Sequence, residues 1–218
     1  CRASEGKRIT KRLAYVAMTA SLIPISFSGA RFPEEQLLQH VPTFVAIVGL
    51  TWISLRCGLS SLSFYSLIVF LLIHIFGARW IYSFVPYDDW HESMTGYQLS
   101  EQLGWERNHY DRVVHLCSGL LGVPPSSELL QRTTGIGPRP AAVLAICVVM
   151  TIGANYEVLE WQLAVWMSPA QAEAYNGQQG DPWDPQKDLA LALLGSLLSA
   201  WLVRCWSPDL RRNDPRCN

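Results

Sequence analysis

Six long apolar blocks dominate this 218-residue sequence, and they restrict its folds more than any other feature. A helix of roughly 20 residues crosses the hydrocarbon core of a bilayer, which is about 30 Å thick. Only 16% of the residues are charged, whereas soluble domains have about 25%. The sequence therefore predicts an all-α, polytopic transmembrane helix bundle, a single integral membrane domain over residues 1–218. The expected spans are residues 13–30, 37–55, 59–78, 112–130, 140–167 and 189–206.

The first and fourth of these blocks contain prolines and differ from an uninterrupted apolar span. The first follows basic residues, as a signal peptide would, but it is long, contains Pro24 and shows no clear small-residue cleavage site. We therefore expect it to be a retained span. The fourth is the weakest of the six, because Pro124 and Pro125 interrupt it.

The distribution of Lys and Arg predicts the orientation. Alternate flanks of the six blocks carry twelve and five basic residues, and the richer set includes both termini. Because basic flanks favour the cytoplasmic side, both termini are expected in the cytoplasm. The two long polar loops, residues 79–111 and 168–188, are then expected outside.

Several functional classes are disfavoured by composition and motifs. The net charge is −1, which gives no indication of a nucleic-acid partner. The six cysteines form no CxxC pair, so neither a disulfide framework nor a thiolate zinc site is expected. The sequence contains no P-loop, dinucleotide-binding fingerprint, HExxH or GxSxG motif.

Ionisable residues in or at the ends of the apolar blocks point to a functional site. A charge at bilayer depth is costly, so such residues usually face a protein interior or a water-filled cavity. With the predicted topology, nearly all of them fall toward the outer side, which predicts one polar pocket. They are His74, Asp111, His115, Glu157, Glu160 and Asp188.

Asp111 and His115 are four residues apart and would share a helix face. A carboxylate beside an imidazole can orient it, raise its basicity or share a cation with it. The alternative is a helix-capping aspartate and a packed histidine.

Glu157 and Glu160 are three residues apart on an apolar helix. Two close carboxylates favour a shared proton or a cation between them. The alternative for Glu160 is a solvated position at the membrane interface. Glu157 is the better functional candidate, because its helix is mostly apolar on either side.

Asp181, Asp184 and Asp188 precede the sixth block. Asp181 and Asp184 each stand before a proline, a pattern typical of a helix N-terminus. They are therefore either caps or ligands, whereas Asp188 is the better ligand candidate. His74, alone in an apolar run, is either a packing residue or a ligand.

Glycines at 119, 122 and 195 are expected to allow close helix packing rather than to bind a ligand.

Four segments carry a resemblance to a known family. HIFGARWIYSFVP, ERNHYDRVVH, NYEVLEW and GDPWDPQKDLALALLG, in this order, resemble the YjdF-like family of bacterial inner-membrane proteins. The resemblance covers roughly residues 60–200. It implies a multispan helical protein of the inner membrane, and it implies no established reaction.

A fainter resemblance is to VanZ-like proteins, which are linked to teicoplanin resistance. Their pattern is Asp-x-x-x-His, then Glu-x-x-Gln, then Asp followed by Asn and Gly. Asp111, His115, Glu157, Asp188 and Gly195 match it, whereas Glu160 replaces the Gln and Ala192 replaces the Asn. This resemblance favours Asp111, His115, Glu157 and Asp188 as the central residues.

The leading hypothesis is a membrane-embedded hydrolase that acts on a lipid or envelope-precursor head group. Catalysis is assigned to His115, Asp111, Glu157 and Asp188, and a divalent cation (zinc, manganese or magnesium) to those four with His74, Glu160 and Asp184. Arg107, Tyr110 and Trp183 are expected to contact substrate. The partners expected are membrane lipids and a lipid-linked or cationic small molecule. The alternatives are a proton-coupled transport or ligand-binding protein, and a polar cluster that only stabilises the bundle.

Overall fold

The fold is described from a computed structural model that covers residues 2–56 and 58–206. Within these ranges the chain forms nine α-helices and no strand. In chain order they are α1 (Arg2–Ser26), α2 (Pro33–Arg56), α3 (Ser61–Ala78), α4 (Tyr87–Thr95), α5 (Leu99–Leu103), α6 (Tyr110–Thr134), α7 (Pro138–Trp166), α8 (Pro169–Asn176) and α9 (Asp184–Trp206). The all-α bundle expected from the sequence is confirmed. Arg211, Arg212 and Arg216, which contributed to the predicted orientation, lie outside the described residues.

Within the described part of the chain, four helices are long and apolar enough to cross a membrane: α2, α3, α7 and the part of α9 up to Val203. Each coincides with one of the expected spans. The other two expected spans correspond to α1 and α6, which have 25 residues each but do not meet the same standard of hydropathy. The number of spans and the orientation therefore stay predictions.

Helix α6 is central, because it packs against α3, α7 and α9. The prediction that Pro124 and Pro125 interrupt this span was wrong, because α6 is continuous through both prolines. Proline at 124 cannot donate a backbone hydrogen bond to the carbonyl of Leu120. The hydroxyl of Ser199, on α9, donates to that carbonyl at 2.7 Å instead. A neighbouring helix thus supplies the missing donor.

Glycines bring α6 and α9 into backbone contact, as predicted. A Cβ added at Gly119 would lie 2.2 Å from the carbonyl oxygen of Ala192, and one at Gly195 would lie 2.2 Å from that of Leu116. Larger residues at these positions would force the two helices apart. This close approach sets the first turn of α9 beside the first turns of α6.

The two polar loops contain short helices that hydropathy alone does not predict. Helices α4 and α5 lie between α3 and α6, and α8 lies between α7 and α9. Helix α8 begins with a capping box at Ser168 and Gln171 and ends at Gly177, which has a φ of +65°. The segment after α8 packs on the start of α6, which places it over the end of the bundle that carries Asp111.

Candidate functional site

Three buried side chains from two helices form the centre of the site. Asp111 and His115 lie one turn apart on α6, and Asp188 lies in the second turn of α9. Each offers a ligand atom, and these atoms all lie within 4.8 Å of one another. One imidazole and two carboxylates at this spacing suit a divalent cation such as zinc or manganese.

Helix α7 adds Glu157 to this group. Its Oε1 lies 3.5 Å from Nε2 of His115, and the Asp111 Oδ1 lies 3.6 Å from the same nitrogen. Oε1 of Glu157 and Oδ1 of Asp188 are buried and have no hydrogen-bond partner among the described residues. Glu160, one turn further along α7, is also buried, with 8% of its surface exposed. The alternative of a solvated Glu160 is therefore wrong for this fold.

The segment between α8 and α9, residues 177–183, is the covering segment. It lies over the acidic group, which consists of Asp111, His115, Glu157 and Asp188. A Cβ on Gly177 would lie 2.7 Å from Oγ of Ser83 and 4.0 Å from Oδ2 of Asp111. Glycine at 177 thus permits the left-handed turn and the close approach to Ser83, and this turn lies in van der Waals range of the Asp111 carboxylate. Tyr175 is 1% exposed just before it. The centre of the site is therefore buried and polar, and it lies at one end of the bundle.

A second set of carboxylates, beside the first, is neutralised by basic residues. Asp184 accepts hydrogen bonds from Arg107 and, at 3.2 Å, from Arg112. Asp181 accepts from Arg112 and from Lys187, both at 2.6 Å. Arg107 also donates to the carbonyls of residues 177 and 178. These contacts attach the start of α6 to the start of α9.

Residues 10–208 match a family described as predicted membrane proteins, DUF2238. The chain belongs to this family. It is also 32% identical to the inner membrane protein YjdF of Escherichia coli (strain K12) over 200 residues, which are 90% of this chain and 91% of that protein. No solved structure matches the chain.

These matches confirm the YjdF-like resemblance and show a membrane protein, and the description of the relative agrees with the expected inner-membrane location. The segments that match include all three helices of the acidic site. The family description states no activity, so the chemistry has to be argued from the residues.

His74 lies apart from the acidic group. Its Nε2 is 2.6 Å from Oγ1 of Thr43 and 3.2 Å from the carbonyl of Gln39, and its Nδ1 bonds to the hydroxyl of Tyr82. Both ring nitrogens are therefore engaged within the protein. Thr43 in turn lies 3.4 Å from Nδ1 of His40. The buried side chains of His40, Thr43, His74 and Tyr82 form a continuous polar series, which we call the histidine series.

The expected substrate contacts divide between buried and exposed positions. Arg107 is engaged with Asp184, and the Tyr110 hydroxyl donates to the carbonyl of Ile73 at 2.8 Å. Trp183 is 63% exposed and borders the covering segment. Of the three, Trp183 has the surface available to meet a molecule from outside.

Sequence reasoning missed Tyr82 and the role of Arg112. Ile81 and Tyr82 adopt φ angles of 42° and 56°, a left-handed pair that follows α3 and turns Tyr82 toward His74. Burial and the nearby Asp111 carboxylate raise the pKa of Tyr82. No sequence signal marks this turn. The pairing of Arg112 with Asp181 and Asp184 carries no sequence signal either, because these partners lie 69 and 72 residues away in the chain.

Proposed function

We propose that this protein is a membrane-embedded hydrolase that uses a divalent cation against a lipid or envelope-precursor head group. The observation that carries the proposal is the grouping of Asp111, His115 and Asp188 within 4.8 Å. No described Lys or Arg lies within 4.0 Å of a carboxylate in this group. Buried carboxylates without a basic partner favour a proton or a metal ion.

The residues divide into ligands and a base. Asp111, His115 and Asp188 supply one nitrogen and two oxygen donors, a set that leaves coordination positions for water and substrate. A divalent cation at this point would make a coordinated water acidic near neutral pH. Glu157 lies beside His115 and would accept the proton of the attacking water. Glu160 stays a proposed additional ligand or proton acceptor.

The site geometry also limits the substrate. The acidic group lies at the end of apolar helices and beneath the covering segment, so a substrate has to bring a polar group to the bundle end. A lipid head group fulfils this requirement, because its acyl chains stay in the bilayer. Trp183, which is exposed beside the covering segment, is the proposed outer contact.

Elemental analysis of the detergent-purified protein tests the metal. We expect about one zinc or manganese ion per chain, and its loss in His115→Ala/Asp188→Asn. The matched control is His91→Ala/Glu101→Gln, which removes the same kinds of group from helices α4 and α5 and should leave the metal content unchanged. Wild-type protein that binds no metal after reloading, or a double variant that keeps it, would overturn the proposal.

The histidine series favours a second candidate function, proton-coupled transport. Hydrogen bonds link its members from α2 through α3 to Tyr82. Burial and the Asp111 carboxylate raise the pKa of that tyrosine. Proton movement through such a series would couple to binding of a cationic ligand at the acidic group. Ligand-dependent acidification of liposomes, abolished in His74→Gln, would support transport. Hydrolysis without proton flux would exclude it.

A further inference from the structure

A cleft at the turn between α1 and α2 carries two arginines outside the acidic site. It has a volume of about 300 Å³ and lies between that turn, the end of α3 and the start of α4. Arg31 and Arg79 line it, together with the rings of Phe32, Trp80 and Phe84. The function proposed above does not use this cleft.

Both guanidinium groups are positioned by aromatic rings. Arg31 lies over Phe32 and Phe84, 5.3 Å and 5.2 Å from the ring centres, and these two rings stack on each other at 5.0 Å. Arg79 lies 5.2 Å from the ring centre of Trp80. One of its nitrogens also donates to the carbonyl of Ser26 at 3.3 Å. Cation–π contact fixes a guanidinium without using all of its five N–H donors.

Neither arginine has an ion-pair partner within residues 2–56 and 58–206. Asp89, an exposed residue in the first turn of α4, is the acidic residue that lines the cleft. It lies farther than 4.0 Å from both guanidinium groups. The formal charge of the cleft is therefore positive by one. This contrasts with Arg107 and Arg112, each of which forms ion pairs with Asp181 and Asp184.

We propose that this cleft binds a phosphate oxyanion, and that its source is the phosphodiester of a phospholipid head group. Planar guanidinium groups bind phosphate oxygens in a bidentate manner. A phosphodiester carries one negative charge, which matches the cleft, whereas Asp89 opposes the larger charge of free phosphate. Phe76 and Phe84 are partly exposed beside the cleft and offer an apolar surface to the acyl chains.

The test is calorimetric titration of the full chain in detergent with EDTA, which removes any contribution of a metal at the acidic site. The probes are dihexanoylphosphatidylglycerol, dihexanoylglycerol, which lacks the phosphate, and inorganic phosphate. We expect the phospholipid to bind at least tenfold more tightly than the other two. Arg31→Gln/Arg79→Gln should weaken its binding by about tenfold or more, because both guanidinium groups that would hold the phosphate are lost.

The control variant is Arg56→Gln/Arg139→Gln, which removes two exposed arginines from the other end of the bundle and should bind normally. Asp89→Asn should improve phospholipid binding by roughly twofold to fivefold, a gain that misfolding cannot produce. Equal binding of inorganic phosphate, lost in the double variant, would support the oxyanion site and overturn the lipid as its source. Equal binding of dihexanoylglycerol, or no effect of the double variant, would overturn the site itself.

Discussion

Two buried carboxylates one turn apart on α9 have opposite surroundings. Asp184 and Asp188 are each 2% exposed. Asp184 accepts hydrogen bonds from Arg107 and Arg112. Asp188 instead lies beside Asp111 and His115, and its Oδ1 has no hydrogen-bond partner among the described residues.

Under the proposed function, this difference would separate a structural acid, Asp184, from a metal ligand, Asp188. A buried carboxylate is costly unless it is paired, and Asp184 is paired within the protein. The group around Asp188 combines several acids with one imidazole and has no described Lys or Arg within 4.0 Å, so a proton or a bound cation would stabilise it. Burial alone therefore does not distinguish the two acids, whereas the presence or absence of a basic partner does.

We call Asp181 and Asp184, with their basic partners Arg107, Arg112 and Lys187, the paired set. The largest loss of stability is expected when an ion pair in this set is broken. Asp184→Asn leaves Arg107, whose side chain is 8% exposed, without its principal carboxylate. Removing one partner of a buried ion pair costs about 3–5 kcal/mol. We therefore expect the free energy of unfolding to fall by about 3 kcal/mol or more, measured by chemical denaturation in mixed detergent.

Glu101→Gln, on the exposed helix α5, is the control and should change the free energy of unfolding by less than about 0.5 kcal/mol. The Arg107→Gln/Asp184→Asn double variant should recover part of the loss, because it leaves no uncompensated charge. A neutral Asp184→Asn would remove the distinction between the two sets.

Hydropathy predicted the long helices well, because burial in a bilayer depends on local composition. Helix α3 begins two residues after the expected span and ends at the same residue. The continuity of α6 was not predictable, since Ser199 lies far away in the chain from the carbonyl that it satisfies. Short helices such as α8 are set by capping residues and by packing on other segments, which hydropathy does not report.

The candidate site was predictable in part. Helical spacing predicted that Asp111 and His115 share a face of α6. The predicted topology placed Glu157 of α7 and Asp188 of α9 at the same end of the bundle, where they lie near His115. The same reasoning grouped His74 with the acids, but its partners, Thr43 and Tyr82, depend on the left-handed turn after α3. Whether Asp184 is paired or free depends on Arg107, which lies 77 residues away in the sequence.

The second prediction concerns Asp188 and metal. Saturation with zinc at about a hundred times the dissociation constant should stabilise the wild type by about 2.7 kcal/mol. Asp188→Asn should abolish this gain. In EDTA the same variant should be as stable as the wild type or more so, because it removes a carboxylate from a crowded acidic group. A large loss of stability in EDTA, equal to that of Asp184→Asn, would show that Asp188 is structural too.

The third prediction concerns the close contact between α6 and α9, which places Asp188 beside His115. An added Cβ at Gly119 would meet the carbonyl of Ala192 at 2.2 Å, so Gly119→Ala must push α9 away from α6. We expect a loss of about 1–3 kcal/mol in the free energy of unfolding and weaker zinc binding, because Asp188 moves away from His115. Gly49→Ala, a helical glycine with no atom within 4 Å of the added Cβ, is the control. Normal zinc binding by Gly119→Ala would mean that this contact does not set the site.

The smallest effect is expected at the exposed end of the paired set. A hydrogen bond from Lys187, with further bonds from the backbone of Trp183 and from Arg112, lowers the pKa of Asp181 below its ordinary value. A carboxyl group with a lowered pKa in the folded state stabilises the protein above its unfolded pKa, and this stabilisation is lost as the pH falls through the folded value. The difference in unfolding free energy between the wild type and Asp181→Asn should therefore be constant above about pH 5 and shrink below about pH 4. A difference that persists unchanged at the lowest accessible pH would indicate that packing, rather than charge, makes Asp181 part of the paired set.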